Sequence, residues 1–365
     1  MASPVSAGPP PVLHDLAAVE EALERLWQAT APGEAAVMRA ASFNVVAIAP
    51  SEVEGRAAAA VLAAVSTELP GRVIVLAAEP AAGARRLGAW IAMHCRAIGG
   101  GAQVCGEQVV IVEHGGDVER LAGAVAALLL PDCPVIGWWR GGPGPAGPLL
   151  GRLASVLDAL LLDGSRFDPA TLPGWVARAR GAEQRIAVGD LAWERGAAWR
   201  RWTADAFEPA ELRPGLGRVA AVRADCGVEG AMAGLLYVGW LAARLGWRPA
   251  PGLARGPDGG WTGTLGGPDG PVTVAVQPAG PAAGLVEVTL ETRGEDGVRC
   301  VVSREGTRCA ALRVTRGGEL VLRHVVREPE PDEVSLVGRW LERLRWDPTY
   351  GAALAAMADA CGGRA

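Results

Sequence analysis

The order in which apolar runs and amphipathic stretches follow one another limits this chain more than any other feature. Phe43-Asn44-Val45-Val46-Ala47-Ile48-Ala49 is a short run rich in β-branched residues. An Ala-rich stretch follows, with Ser51 placed to cap it as a helix and Pro70-Gly71 placed to end it. A second buried run, Arg72 to Leu76, comes directly after. Strands that are apolar at consecutive positions, alternating with helices, belong in a parallel sheet covered on both faces. The pattern continues with a helix near 117–129 stopped by Pro131, strands near 135–139, 159–162 and 185–188, and a helix near 194–207. The runs 88–95 and 103–112, separated by Gly99-Gly100-Gly101, predict an antiparallel hairpin inserted into that sheet.

A Pro-rich start precedes this region, with an amphipathic helix carrying Leu13, Leu16, Val19, Leu23, Leu26 and Trp27 on one face. The style changes after a Pro/Gly-rich segment, Glu208 to Arg218. A strand at 219–223 leads into a nearly all-apolar helix, Val228 to Leu245, which has to be buried. Six short alternating runs between 261 and 325 follow, parted by Gly, Pro and Asp turns, and predict an antiparallel meander. Two helices close the chain, the first with Val334, Val337, Trp340, Leu341 and Leu344 on one face. The expected organisation is therefore a start with one helix (1–33), an α/β domain with a mainly parallel sheet and helices on both faces (34–207), and an α+β domain (208–365).

Composition narrows the chemistry. All 35 basic residues are arginine, because the sequence contains no lysine. P-loop phosphate binding and Schiff-base or pyridoxal chemistry both need a lysine amine and are excluded. The four histidines and seven cysteines form no metal-ligand spacing and no C-x-x-C pair, so no metal and no cofactor is expected, and mostly reduced thiols in the cytoplasm fit best. Charges of both signs are interspersed with a net of -5, which offers no stripe to nucleic acid. The segment Met1 to Val12 lacks the features of a signal peptide, and the longest apolar stretch is too short to span a bilayer, so no membrane is expected.

Catalytic patterns are weak. Gly215-Leu216-Gly217-Arg218-Val219-Ala220 has dinucleotide-fingerprint spacing but precedes a strand instead of joining a strand to a helix. His94 reads as a core histidine, and His114 is a general-base candidate with no evident nucleophile. Cys300 and Cys309 are placed to face each other across a hairpin. Asp163 and Ser165 follow a strand at the edge where open α/β sheets bind ligands, although a helix cap explains Ser165 equally well. More is carried by Trp138-Trp139-Arg140 at the end of a strand, and by Trp199 and Trp202 on one helix face beside Arg200. Consecutive strand residues point to opposite faces, so one indole lies on each side of the sheet. Tryptophan and arginine dominate protein–protein hot spots, which makes Trp138, Trp139, Arg140, Trp199 and Arg200 partner-binding candidates; burial in the core is the alternative.

Several segments, in order, resemble the glucose-6-phosphate dehydrogenase assembly protein family, also called OpcA. They are Arg39-Ala40 with Asn44, Pro131-Asp132 with Pro134-Val135 and Trp138-Trp139-Arg140-Gly141, Asp163 with Ser165, Asp190-Leu191-Ala192-Trp193 with Trp199-Arg200, and Gly239-Trp240-Leu241-Ala242 with Arg244-Leu245-Gly246-Trp247. The segment before Trp199 departs from the family pattern, and the region beyond Trp247 is only loosely similar. The resemblance implies a non-catalytic protein that binds glucose-6-phosphate dehydrogenase and promotes its active oligomer, in support of the oxidative pentose phosphate pathway. It marks Arg39, Asn44, Asp163, Ser165 and Asp190 as a ligand-binding or structural polar set. The competing reading is a sugar-phosphate-binding or lactonase-like hydrolase with its pocket near Asp163, Ser165 and Arg140, where a guanidinium suits phosphate.

Overall fold

A computed structural model describes residues 17–30, 37–79, 86–99, 102–114, 118–141, 148–181, 186–227, 230–280, 284–306 and 308–362. The elements in order are α1 (Ala17–Thr30), β1 (Val37–Arg39), β2 (Asn44–Ala49), α2 (Glu52–Glu68), β3 (Arg72–Glu79), β4 (Arg86–Gly99), β5 (Ala102–His114), α3 (Val118–Leu128), β6 (Val135–Trp139), α4 (Pro148–Leu153), β7 (Ala159–Leu162), α5 (Leu172–Arg180), β8 (Ala187–Asp190), α6 (Leu191–Arg195) and α7 (Ala197–Ala206). They continue with β9 (Val219–Cys226), α8 (Ala231–Leu245), β10 (Arg248–Arg255), β11 (Trp261–Gly267), β12 (Gly270–Pro278), β13 (Leu285–Thr292), β14 (Val298–Glu305), β15 (Cys309–Arg316), β16 (Glu319–Arg327), α9 (Glu333–Arg343) and α10 (Pro348–Ala360). Leu13, Leu16, Gly100-Gly101, Gly115-Gly116 and most of the loop after Gly141 lie outside the described residues.

The chain forms two compact units, each discontinuous in sequence. The first holds residues up to Leu162, Ala179–Gly189 and Glu333–Arg345; the second holds Asp163–Arg178, Asp190–Asp332 and Trp346 onward. The Pro/Gly-rich segment 208–218 therefore lies inside the second unit, not between the two.

The sheet of the first unit runs β1-β5-β3-β2-β6-β7-β8, with β4 paired to β5. The ladders β1–β5, β5–β3, β3–β2, β2–β6 and β6–β7 are parallel, and β4–β5 is antiparallel, as the hairpin pattern predicts. Every residue of β2 is buried, which is why its sequence shows no alternation. Ser51 accepts a hydrogen bond from the Glu54 backbone N–H and so starts α2, and Gly55 lets that helix approach β3 closely, since a Cβ there would lie 2.7 Å from the Ala77 Cβ. One buried ion cluster fastens the far edge: Glu107 accepts from Arg72 at 2.8 Å and from the Trp27 indole at 2.7 Å, and pairs with Arg39. Cys95 and Cys105 sit opposite each other on β4 and β5 and form a disulfide, an exception to the mostly reduced thiols expected, and the other five cysteines are free.

The second unit is built on an eight-stranded sheet ordered β10-β11-β12-β9-β13-β14-β15-β16. It is a meander with one change: β9 inserts parallel to β12 and antiparallel to β13, so the early strand lies mid-sheet. Alternation along the strands sends Val222, Ala224, Val274, Val288, Leu290, Val302 and Val314 into the core. The apolar helix α8 packs on β9, β12 and α10, and its Gly239 permits close helix crossing. Cys300 opposes Val314 and Cys309 opposes Glu305, so those two thiols do not face each other.

Candidate functional site

In an open α/β sheet a ligand binds outside the carboxyl ends of the strands where chain order reverses. In the first unit that point lies between β2 and β6, because the chain passes from β2 to β3 on one side and later returns to β6 on the other. The residues there are Pro50-Ser51-Glu52-Val53-Glu54-Gly55, opening α2, and Arg140, whose backbone N–H donates to the Ile48 carbonyl at the end of β2 (3.0 Å). A dinucleotide site would place glycines at the first, third and sixth positions of such a turn, to make it tight, to let pyrophosphate approach, and to pack helix on strand. Gly55 does the third of these jobs; Pro50 and Glu52 occupy the other two positions.

The crevice is filled from within. The Arg140 guanidinium is 5 % exposed, lies 4.6 Å from the centre of the Trp138 ring, and pairs with Glu54 at 3.0 Å and with Glu333 of α9 at 2.7 Å. Carboxylates at the start of a helix satisfy the partial positive charge that would otherwise attract phosphate. Sequence reasoning placed Arg140 at this edge and missed Glu54 and Glu333. The signal for Glu54 was the acidic first turn of α2; Glu333 is 193 residues away from Arg140, and no local pattern links them.

A second cluster belongs to the second unit. Asp163 caps a short 3-10 helix, accepts from the Ser165 N–H and the Ser165 hydroxyl (2.7 Å), and is clasped by both terminal nitrogens of Arg195 at 3.0 and 2.7 Å. Burial alone would raise its pKa, but the hydrogen bonds and charge of Arg195, with help from Ser165, hold the carboxyl below its ordinary value. Asp190 is 1 % exposed and caps α6: one oxygen accepts from the Gly164 N–H (2.7 Å) and the Ala192 N–H (2.8 Å), and the other from the Tyr350 hydroxyl (2.9 Å). Burial first, and the nearby Asp163 charge second, push Asp190 up to about 6 despite those three donors. Gly164 is required here, since a Cβ would lie 2.4 Å from the outer Asp190 oxygen. The Ser165 hydroxyl thus donates to an ion-paired carboxylate, which is a cap and not a nucleophile beside a free base. Tyr350, and the pairing of Arg195 with Asp163, which complete the cluster, were not read from the sequence.

Of the remaining candidates, Asn44 is fully buried and closes the turn after α3, donating to the Leu130 and Cys133 carbonyls and accepting from the Leu130 N–H. Arg39 serves the Glu107 cluster from an exposed position on β1. Trp138 and Trp199 are buried in their units, at 1 % and 2 % exposure. Trp139 and Arg200 are half-buried and keep accessible surface; Arg200 lies 3.3 Å from the Trp193 ring centre and donates to the Trp193 carbonyl. Trp193 in turn donates to Asp347 at 2.8 Å. Among the described residues no group of acidic, histidine or cysteine side chains is arranged to hold a metal, and no helix is long and apolar enough to cross a membrane.

Comparison with known proteins matches both parts of the chain. Residues 62–172 match the family described as the glucose-6-phosphate dehydrogenase subunit N-terminal domain, and residues 186–354 match its C-terminal domain. A Synechococcus elongatus protein named OxPP cycle protein OpcA is 27% identical over 309 residues, which is 81% of this chain and 69% of that protein. Its namesake from Synechocystis sp. is 32% identical over 146 residues, 40% of this chain and 30% of that protein. Among solved structures, glucose-6-phosphate 1-dehydrogenase from Mycobacterium avium shares the fold, with a TM-score of 0.51 and 12% identity over 88% of this chain and 92% of that one.

Proposed function

This chain belongs to the OpcA family of glucose-6-phosphate dehydrogenase assembly proteins, and from that membership we propose that it binds a glucose-6-phosphate dehydrogenase in the cytoplasm and promotes its active assembly without catalysing a reaction itself. The observation that carries the non-catalytic part is the filled crevice. A dehydrogenase needs a dinucleotide at the switch point of its sheet, and here Arg140, bridged to Glu54 and Glu333, occupies that point, while Glu52 stands where the turn would need its second glycine. In this reading the exposed parts of Trp139 and Arg200 contact the enzyme, while Trp138, Arg140 and Trp199 fix the shape of the surfaces beneath them. The hydrolase reading has no such support, because Ser165 is engaged by Asp163 and Asp163 by Arg195.

The test is a titration of the host's dehydrogenase with the purified chain, followed by rate and by size-exclusion chromatography. The expected result is a higher dehydrogenase rate and co-elution. An unchanged rate and separate elution at saturating chain, or turnover of a sugar phosphate or lactone by the chain alone, would sink the proposal.

A further inference from the structure

The eight-stranded sheet of the second unit has two edges, and they are finished differently. β10, at one end, carries Pro249, breaks its register with β11 between Pro249 and Gly252, and packs against α10. Proline, a bulge and a covering helix are common means of keeping a further strand from pairing with an edge. β16, at the other end, contains no proline, keeps a regular ladder with β15 from Leu322 to Arg327, and exposes eight of its nine residues. It carries four of the eight large apolar side chains exposed among the described residues: Leu320, Val321, Val325 and Val326, from 38% to 56% exposed.

The backbone direction along β16 follows from one hydrogen bond. The Glu328 N–H donates to the Arg308 carbonyl at 2.9 Å, in the same register as the ladder that ends at Arg327 and Cys309. Residues of an antiparallel strand that face their partner alternate with residues that turn away. Val326, His324 and Leu322 therefore face β15, and Arg327, Val325 and Arg323 direct their N–H and C=O groups outward. No strand among the described residues pairs with that edge.

The side chains repeat the same period. Arg323, Val325 and Arg327 follow one another on the side of the sheet away from the core residue Val314, and Arg313 stands directly opposite Arg323. Like charges directly opposite each other weaken a ladder. Arg313, Arg323 and Arg327 are exposed, and none forms an ion pair among the described residues. Glu291, Asp296 and Glu328 are engaged by Arg299, Arg316 and Arg201 instead.

We propose that an extended segment of the dehydrogenase adds to β16 as a further strand, with acidic side chains opposite Arg323 and Arg327 and an apolar one opposite Val325. This rests on the assembly reading above and assigns it a contact. Main-chain hydrogen bonds to Arg323, Val325 and Arg327 hold the added strand, and the alternation of acid, apolar and acid at every second position selects it. Val325 and Val326 point to opposite faces, and strand addition covers both, because it extends the two faces of the sheet at once.

Amide exchange of the full chain, alone and with the host's dehydrogenase, tests the proposal. In the free chain the amides of Arg323, Val325 and Arg327 should exchange rapidly while those of His324 and Val326 are protected; in the complex all five should be protected. Val325→Pro removes the central outward N–H and leaves the β15 ladder whole, since proline is tolerated on an edge where the N–H faces water. It should melt as the wild type does and bind the dehydrogenase about ten-fold or more weakly, whereas Val325→Thr, which keeps the N–H, retains binding. If Val325→Pro does not fold, Arg323→Glu and Arg327→Glu carry the test: each should weaken the complex about ten-fold or more, and the wild-type complex should weaken as salt rises. Rapid exchange of the three outward amides in a complex that does form, or undiminished binding by a folded Val325→Pro or by both charge reversals, overturns the proposal and leaves the assembly reading standing. Protection of those amides in the chain alone, with self-association in sedimentation velocity, overturns it by giving the edge to a second copy. A wild-type chain that never co-elutes with the dehydrogenase overturns both.

Discussion

Asp190 shows how one side chain can be both a cap and a source of pH dependence. Its carboxyl holds a proton up to about pH 6 in the folded chain, against about 3.9 when unfolded. Between those values the folded state binds more protons than the unfolded one, so this residue's contribution to stability falls as pH rises from about 4 to about 6 and is level above that. Asp163, whose folded pKa is depressed, acts in the opposite sense and at lower pH, losing its contribution as pH falls through its folded pKa. Asp190→Asn keeps an acceptor for the Gly164 and Ala192 N–H groups and removes the titration. The difference between wild-type and variant stability, measured by urea unfolding from pH 4 to 7, should therefore shift in favour of the variant by about 2–3 kcal/mol across that window. Arg140→Ala tests the other cluster. It leaves Glu54 and Glu333 facing each other without their shared cation, and should cost about 3 kcal/mol in denaturant unfolding. A loss under 1 kcal/mol would show that the crevice is not held by this bridge.

At the scale of elements, α8 depends on packing. It is apolar on nearly every side because it lies between the sheet and α10, and Gly239 is the point of closest approach: a Cβ there would come 2.3 Å from the Ala353 carbonyl oxygen. Gly239→Val should push the two helices apart and cost about 3 kcal/mol or more, read as a lowered midpoint in thermal unfolding. Gly246 follows α8 with φ of 70°, and ends the helix in the left-handed conformation that glycine adopts without strain. α9 behaves differently. Its apolar stripe, Leu336, Val337, Trp340 and Leu341, is buried against the first unit, and the Trp340 ring lies where a Cβ on Gly189 would sit, 2.0 Å from its indole nitrogen. The stripe was legible from spacing, but its destination was not.

For the whole molecule, the dehydrogenase-like fold and the filled crevice make a combined prediction. Titration with NADP should leave the tryptophan fluorescence of the chain unchanged, while the same chain raises the rate of its dehydrogenase. Saturable quenching by NADP in the micromolar range typical of specific cofactor sites would contradict the reading of Glu52, Glu54 and Arg140. The family match spans both units, so the assembly function is expected to need both. Isolated fragments cut at 207/208 should fail to fold, because 163–178 and 190–206 pack with the second unit and 333–345 with the first.

Much of this protein was written in local sequence. Consecutive β-branched residues marked β2 and β3 as buried parallel strands, Gly-rich turns marked the hairpin and the meander, and the Trp-Trp-Arg and Asp-Leu-Ala-Trp segments marked the family. Those features depend on neighbours a few residues apart, and backbone sterics and apolar period express them directly. The partners of Arg140, Asp190 and Gly189, the insertion of β9 beside β12, and the interleaving of two units were decided only in three dimensions. They are contacts between residues tens to hundreds of positions apart, where many pairings satisfy the same apolar pattern and only the simultaneous packing of all elements selects one.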